Sequence, residues 1–192
     1  MIRFHRLVLS SSFLALALAT LPVTPGCGES SSSKAQPQSS ALPAGLLASV
    51  EPTGALKVLD LRKSAPTAGS RVAVIGRIGG SRAPFVSTKA IFTIVDPTLE
   101  SCVEMGDDDH CPRPWDYCCE PKSEVSAALA SIEVVGGDGK PLPIALDASG
   151  ELKPLMLVAV EGTLQPSDGT AFVVRADKIY KFPNDPLARH IK

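Results

Sequence analysis

Residues 155–182, LMLVAVEGTLQPSDGTAFVVRADKIYKF, decide how this chain is read. Leu155 to Leu164 and Ala171 to Phe182 are rich in β-branched and apolar residues and flank Pro166-Ser-Asp-Gly169, a turn signal, so the stretch predicts an antiparallel hairpin. Working back toward the N-terminus, Ile132 to Val135 predicts another strand. Gly136-Gly-Asp-Gly139 would turn it into a partner at Leu142 to Leu146. Pro121 to Ala130 fits a short helix with Ser123 as a candidate cap. Lys89 to Asp96, ended by Asp96-Pro97, and Arg71 to Gly80 (RVAVIGRIGG) add two more strands. Leu56 to Leu61 is ambiguous between a short strand and a surface lead-in.

Gly76 and Gly162 both fall inside these strands, where a sheet that closes on itself needs tight coiling. The fold class is therefore all-β with minor α content, and a small closed barrel is favoured over an open sandwich. Composition agrees: 17 Pro and 15 Gly with only 5% aromatic residues describe a turn-rich β-domain. VAVIGRIGG, FTIVD and the hairpin VAVEGTLQPSDGTAFVVRADKIYKF together resemble the OB-fold, a small Greek-key barrel, over residues 71–182. That resemblance implies a binding domain.

The first 26 residues have Arg3 and Arg6 followed by an apolar run to Leu21, which reads as a signal peptide. Thr24-Pro25-Gly26-Cys27 resembles the lipobox of bacterial lipoproteins. By that resemblance Cys27 becomes an acylated N-terminus that holds the protein to a membrane, and Gly28 in place of Asp permits transfer to the outer membrane. Residues 27–45 (CGESSSSKAQPQSSALPAG) lack a periodic apolar face and read as a disordered, flexible tether. A lead-in at 46–70, the barrel domain at 71–182 and a polar tail at 183–192 complete the division. The expected location is extracytoplasmic, facing the periplasm or the cell exterior.

The barrel carries an insertion at 101–121 that contains CVEMGDDDHCPRPWDYCCE (102–120) and every cysteine except Cys27. Its PWDYCC segment resembles one from an uncharacterised family of exported bacterial proteins, which implies export and no particular chemistry. The spacing Cys102-x8-Cys111-x6-Cys118-Cys119 admits three readings. Four cysteines in an oxidising compartment favour two disulfides, with Cys102 and Cys111 crossing to the vicinal pair, because a Cys118–Cys119 bond would close a strained ring. Alternatively, the same thiolates, with His110 and Met105 near them, offer the soft donors that Zn or Cu(I) takes. As a third possibility, Cys118 and Cys119 exchange with a partner disulfide while Cys102 or Cys111 resolves.

Asp107 to Asp109 lack the ligand alternation of a calcium loop and read as a solvated acidic turn. Trp115 and Tyr117 are candidates to stack on a sugar or peptide, or to plug the insertion. His5, His110 and His190 are the only histidines, and His5 lies in the signal peptide, so no nucleophile-base arrangement is supported and no enzyme is expected. The chain has 19 basic against 20 acidic residues, and Arg3 and Arg6 leave with the signal peptide. That balance argues against nucleic acid as a partner. The sequence thus describes an exported lipoprotein serving as a non-catalytic binding or structural module. Its membrane contact is through the lipid, a protein or saccharide ligand is compatible, and no cofactor is needed unless the cysteines hold Zn or Cu.

Overall fold

The computed structural model describes residues 41–106, 111–166 and 172–187. Cys27, His110, the signal peptide, most of the tether and the turn at 167–171 lie outside them. Five strands close a barrel: β3 (Arg71–Ile78), β4 (Ile91–Val95), β5 (Leu129–Glu133), β6 (Leu157–Leu164) and β7 (Val173–Lys181). β3, β4 and β5 form an antiparallel meander. β5 then lies parallel to β7, while β6 pairs antiparallel with both β7 and β3 and completes the circuit. This is the OB-like Greek-key order.

Alternation drives the closure, because one face of every strand enters a single core. Val72, Val74 and Ile78 of β3, Phe92 and Ile94 of β4, Ile132 of β5, Val158 and Val160 of β6, and Val174 and Ile179 of β7 are all buried there. Gly76 is the inward position where β3 crosses β4. A Cβ there would lie 2.8 Å from the Ile94 side chain, so glycine is what permits the approach. Gly162 has the same role opposite Arg175, whose carbonyl oxygen occupies the space a Cβ would need. The register shifts between Glu161 and Gly162, and Asp177 and Lys178 of β7 are consecutively exposed, as a bulge requires.

The lead-in is part of the fold. β1 (Leu47–Ala48) adds parallel to β7, and β2 (Leu56–Lys57) adds parallel to β3. α1 (Val58–Lys63) then buries Val58 and Leu61. The sequence signal over Leu56 to Leu61 is therefore two residues of strand followed by a helix.

α2 (Lys122–Ala127) is shorter than its sequence signal, and no side chain caps it: Pro121 occupies the N-cap, so Ser123 does not serve there. Chain reversal at Gly136–Gly139 does occur, with Leu142 N–H donating to the Val134 carbonyl and Val135 bridging Pro141. It does not continue as a strand to Leu146. Pro141 and Pro143 have no N–H to give a ladder, and Leu146 instead drops into the core.

The start of the tail is also fixed. Asp185 is buried, and its Oδ2 accepts from Arg77 Nη1 at 2.7 Å and from the Leu157 N–H at 3.0 Å. Arg77 also donates to the Leu155 carbonyl at 2.6 Å. Burial alone would raise the Asp185 carboxyl; the Arg77 bond and the Leu187 and Leu157 N–H groups outweigh it and hold its pKa below the ordinary value. Domain structure therefore extends past Phe182 to Leu187.

Candidate functional site

The insertion begins where β4 ends. Buried Asp96 accepts from the N–H and hydroxyl of Thr98 at 2.9 and 2.6 Å, which turns the chain, and from the Leu59 N–H at 2.8 Å, which ties α1 to that turn. Glu104 closes the next turn by accepting from the Ser101 N–H and hydroxyl at 2.8 and 2.7 Å. Pro114–Asp116 then forms one turn of 3-10 helix, and Tyr117 takes a left-handed conformation (φ 55°) after it. That reversal sends the Tyr117 ring inward, against Val95, Val125 and Ala128. The Gly80 N–H donates to the Trp115 carbonyl at 2.8 Å, and a Cβ on Gly79 would strike that same carbonyl group. The glycines ending β3 thus let the PWDY turn lie directly on the barrel.

This turn delivers Cys118 and Cys119 to Cys102 and Cys111. Cys118 Sγ lies 3.6 Å from Cys102 Sγ, 3.4 Å from Cys111 Sγ and 3.9 Å from Cys119 Sγ. Cys102 and Cys119 are 3.6 Å apart. A disulfide holds its sulfurs at about 2.05 Å, so no bonded pair is present among these contacts. Thiolates at about 2.3 Å around a tetrahedral ion stand about 3.8 Å apart, and these four separations are close to that edge.

A carboxylate oxygen of Asp116 lies within 4.8 Å of the sulfurs of Cys102, Cys111 and Cys118, a fourth donor near the same centre. Its Oδ1 accepts from the Cys118 N–H at 3.1 Å, which fixes both groups. Cys102 is buried, Cys111 partly exposed, and Cys118 and Cys119 exposed. Burial pushes the Cys102 thiol up to about 11, and hydrogen bonds with Cys111 and Cys102 push Cys118 up to about 12. Without a cation, the Cys102 and Cys118 thiols stay protonated near neutral pH.

Sequence reasoning picks out all four sulfurs, and the structure gathers them. It misses Asp116, whose signal is its place two residues before Cys118 in the PWD turn. Trp115 is half-buried, with its indole N–H on the Arg82 carbonyl at 3.3 Å. Tyr117 is 1% exposed, so its ring plugs the insertion and is not offered to a sugar or peptide. Met105 is exposed. His110 and Asp107 to Asp109 are outside the described residues.

Beside the cluster, a cavity of about 440 Å³ is lined by Arg82, Asp116, Cys118 and Lys122 among others. A larger one of about 610 Å³ lies against the lead-in and β3, remote from the sulfurs in sequence, and includes Arg71 and Glu161, which pair with each other at 2.9 Å. No protein-family model matches the chain, and no curated protein matches it.

Proposed function

We propose that this chain is an exported, lipid-anchored protein whose OB-like barrel presents a soft-metal site, taking Zn(II) or Cu(I) on Cys102, Cys111, Cys118 and Cys119, and that it acts by binding rather than by catalysis. The observation that supports the metal is the sulfur spacing of 3.4–3.9 Å, which is that of ligands sharing an ion. Soft thiolates select these ions over Ca(II) or Mg(II). Asp116 would serve as a reserve oxygen donor or orient Cys118 through its N–H.

Support for the address comes from the sequence alone: the signal-like start, Thr24 to Cys27 and the tether. Acyl chains on Cys27 would fix the protein to a membrane, and residues 28–40 would let the barrel stand off from it, since Leu42 already packs against the core. Among the described residues no helix is long and apolar enough to cross a membrane.

The test is native mass spectrometry with elemental analysis of the full chain, exported, reduced and purified without oxygen. One ion per chain, lost in C102S, supports the reading. A chain about 4 Da lighter than the reduced form, from loss of two hydrogens per S–S bond, and unable to take up an ion after reduction, would replace the site with a disulfide staple. Palmitate labelling that persists in C27S would refute the anchor.

A further inference from the structure

We propose that the cluster is a redox-gated site, in which a peroxide converts Cys111 and Cys118 to a disulfide and thereby expels the metal; this rests on the metal reading above. The geometry assigns distinct parts to the four sulfurs. Cys118 is the hub, in contact with each of the others, and it lines the 440 Å³ cavity, so a small oxidant meets it first. Arg82 and Lys122 line that cavity together with Asp116 and Glu120, so the point of attack is polar and its formal charges balance. Cys111 is its nearest sulfur at 3.4 Å, and the two need to close by about 1.4 Å to bond. Cys102 is 1% exposed and screened from the oxidant. Cys119 is adjacent in sequence and would form the strained ring. Cys111–Cys118 is therefore the favoured bond, and it leaves Cys102, Cys119 and the Asp116 oxygen, a set with too few thiolates to retain a soft ion.

The step balances as follows. The Cys118 thiolate attacks one oxygen of hydrogen peroxide; an S–O bond forms, the O–O bond breaks and hydroxide leaves, giving a sulfenic acid. The Cys111 thiolate then attacks the Cys118 sulfur; the S–S bond forms, the S–O bond breaks and a second hydroxide leaves. Both hydroxides take up a proton and become water. The two sulfurs together lose two electrons to the peroxide, and Zn(II), which is not redox-active, departs unchanged.

The experiment uses the full chain in detergent, reduced, loaded with Zn(II) and treated with stepwise hydrogen peroxide. A colorimetric chelator follows free zinc, and peptide mass mapping locates the bond. The expected result is one zinc released for each Cys111–Cys118 disulfide, with uptake restored by a phosphine reductant. Zinc retained while peroxide is consumed by the protein, or zinc released with another bond or with irreversible sulfinic acid, overturns the gate and leaves the metal site standing. A reduced chain that never takes up zinc or copper overturns both. Each outcome is read on the unmutated protein, so none depends on a variant that fails to fold.

Discussion

The barrel and the insertion across it are held by different chemistry. In the barrel, apolar residues recur at every second position of strands that close on themselves, and burial of that continuous face stabilises the circuit. Among the described residues between 101 and 121, only Cys102 and Tyr117 of the apolar and sulfur side chains are fully buried. Order there comes from turns, from contact with Gly79 and Gly80, and from the sulfurs of Cys102, Cys111 and Cys118 gathered with the Asp116 carboxylate within 4.8 Å of one another. A region stabilised by area tolerates small changes at many places. One stabilised by a few ligands depends on each of them.

The largest effect expected lies in the barrel, at the buried Arg77–Asp185 pair. Asp185→Ala leaves Arg77 charged, buried and without its carboxylate partner, a change that costs about 3–5 kcal/mol. Urea denaturation would show it as a lower midpoint, and the loss should appear even with the insertion metal-loaded. An effect under about 1 kcal/mol would mean that water reaches Arg77. The same pair sets an acid limit. Because the folded carboxyl is held below its unfolded value of about 3.9, the stabilisation is complete above that pH and disappears as pH falls through the lower, folded-state pKa. Wild type should lose stability more steeply below about pH 4 than Asp185→Asn.

Next comes Gly162→Ala, which places a Cβ against the Arg175 backbone and can be relieved only by shifting β7. Overpacking of this kind costs about 1–3 kcal/mol. Gly76→Ala meets the Cβ of Ile94 as well as its Cγ1 and Cδ1; rotation of that side chain cannot clear the Cβ, so β4 must shift, but the contact is less close than the one at Gly162 and should cost less. If Gly76→Ala proves the more damaging, the bulge at Glu161/Gly162 is not what closes the barrel.

Metal removal addresses the other region. With free zinc at a hundred times its dissociation constant, the ligated state gains about 2.7 kcal/mol. Chelation should therefore raise amide hydrogen exchange at Cys102, Cys118 and Cys119 while leaving β3, β6 and β7 protected. Uniform acceleration in both regions would show them to be one cooperative unit and erase the distinction.

Legibility in the sequence follows the same division. β3, β6 and β7 announce themselves through alternation, and Gly76 and Gly162 mark the curvature because a position without a side chain inside an apolar strand has a local reason. α1 did not announce itself: VLDLRK is too short for helical periodicity to separate from strand alternation, and its identity comes from Leu59 and Asp96, far apart in sequence. Arg77 and Asp185 are 108 residues apart and carry no mutual signal. In the insertion the reverse holds. Every sulfur could be named from the sequence, but whether they bond or share an ion depends on the left-handed turn at Tyr117, which nothing in PWDYCC predicts.

Tyr117 is where the two regions meet, and it supports the smallest and most discriminating change. Its hydroxyl is buried and has no hydrogen-bond partner among the described residues, and burial raises its pKa so that it stays protonated. An orphaned hydroxyl costs about 1–3 kcal/mol, whereas the ring contributes by filling space against Val95 and Val125. Tyr117→Phe removes the cost and keeps the ring. The urea midpoint should rise by the equivalent of about 1 kcal/mol with an unchanged slope. Zinc affinity should not move, because the phenol is not a ligand and the left-handed backbone is undisturbed. Destabilisation would place an ordered water on the hydroxyl. A gain in stability accompanied by a change in zinc affinity would show that the packing of this ring, and not the turn alone, sets the spacing of the sulfurs.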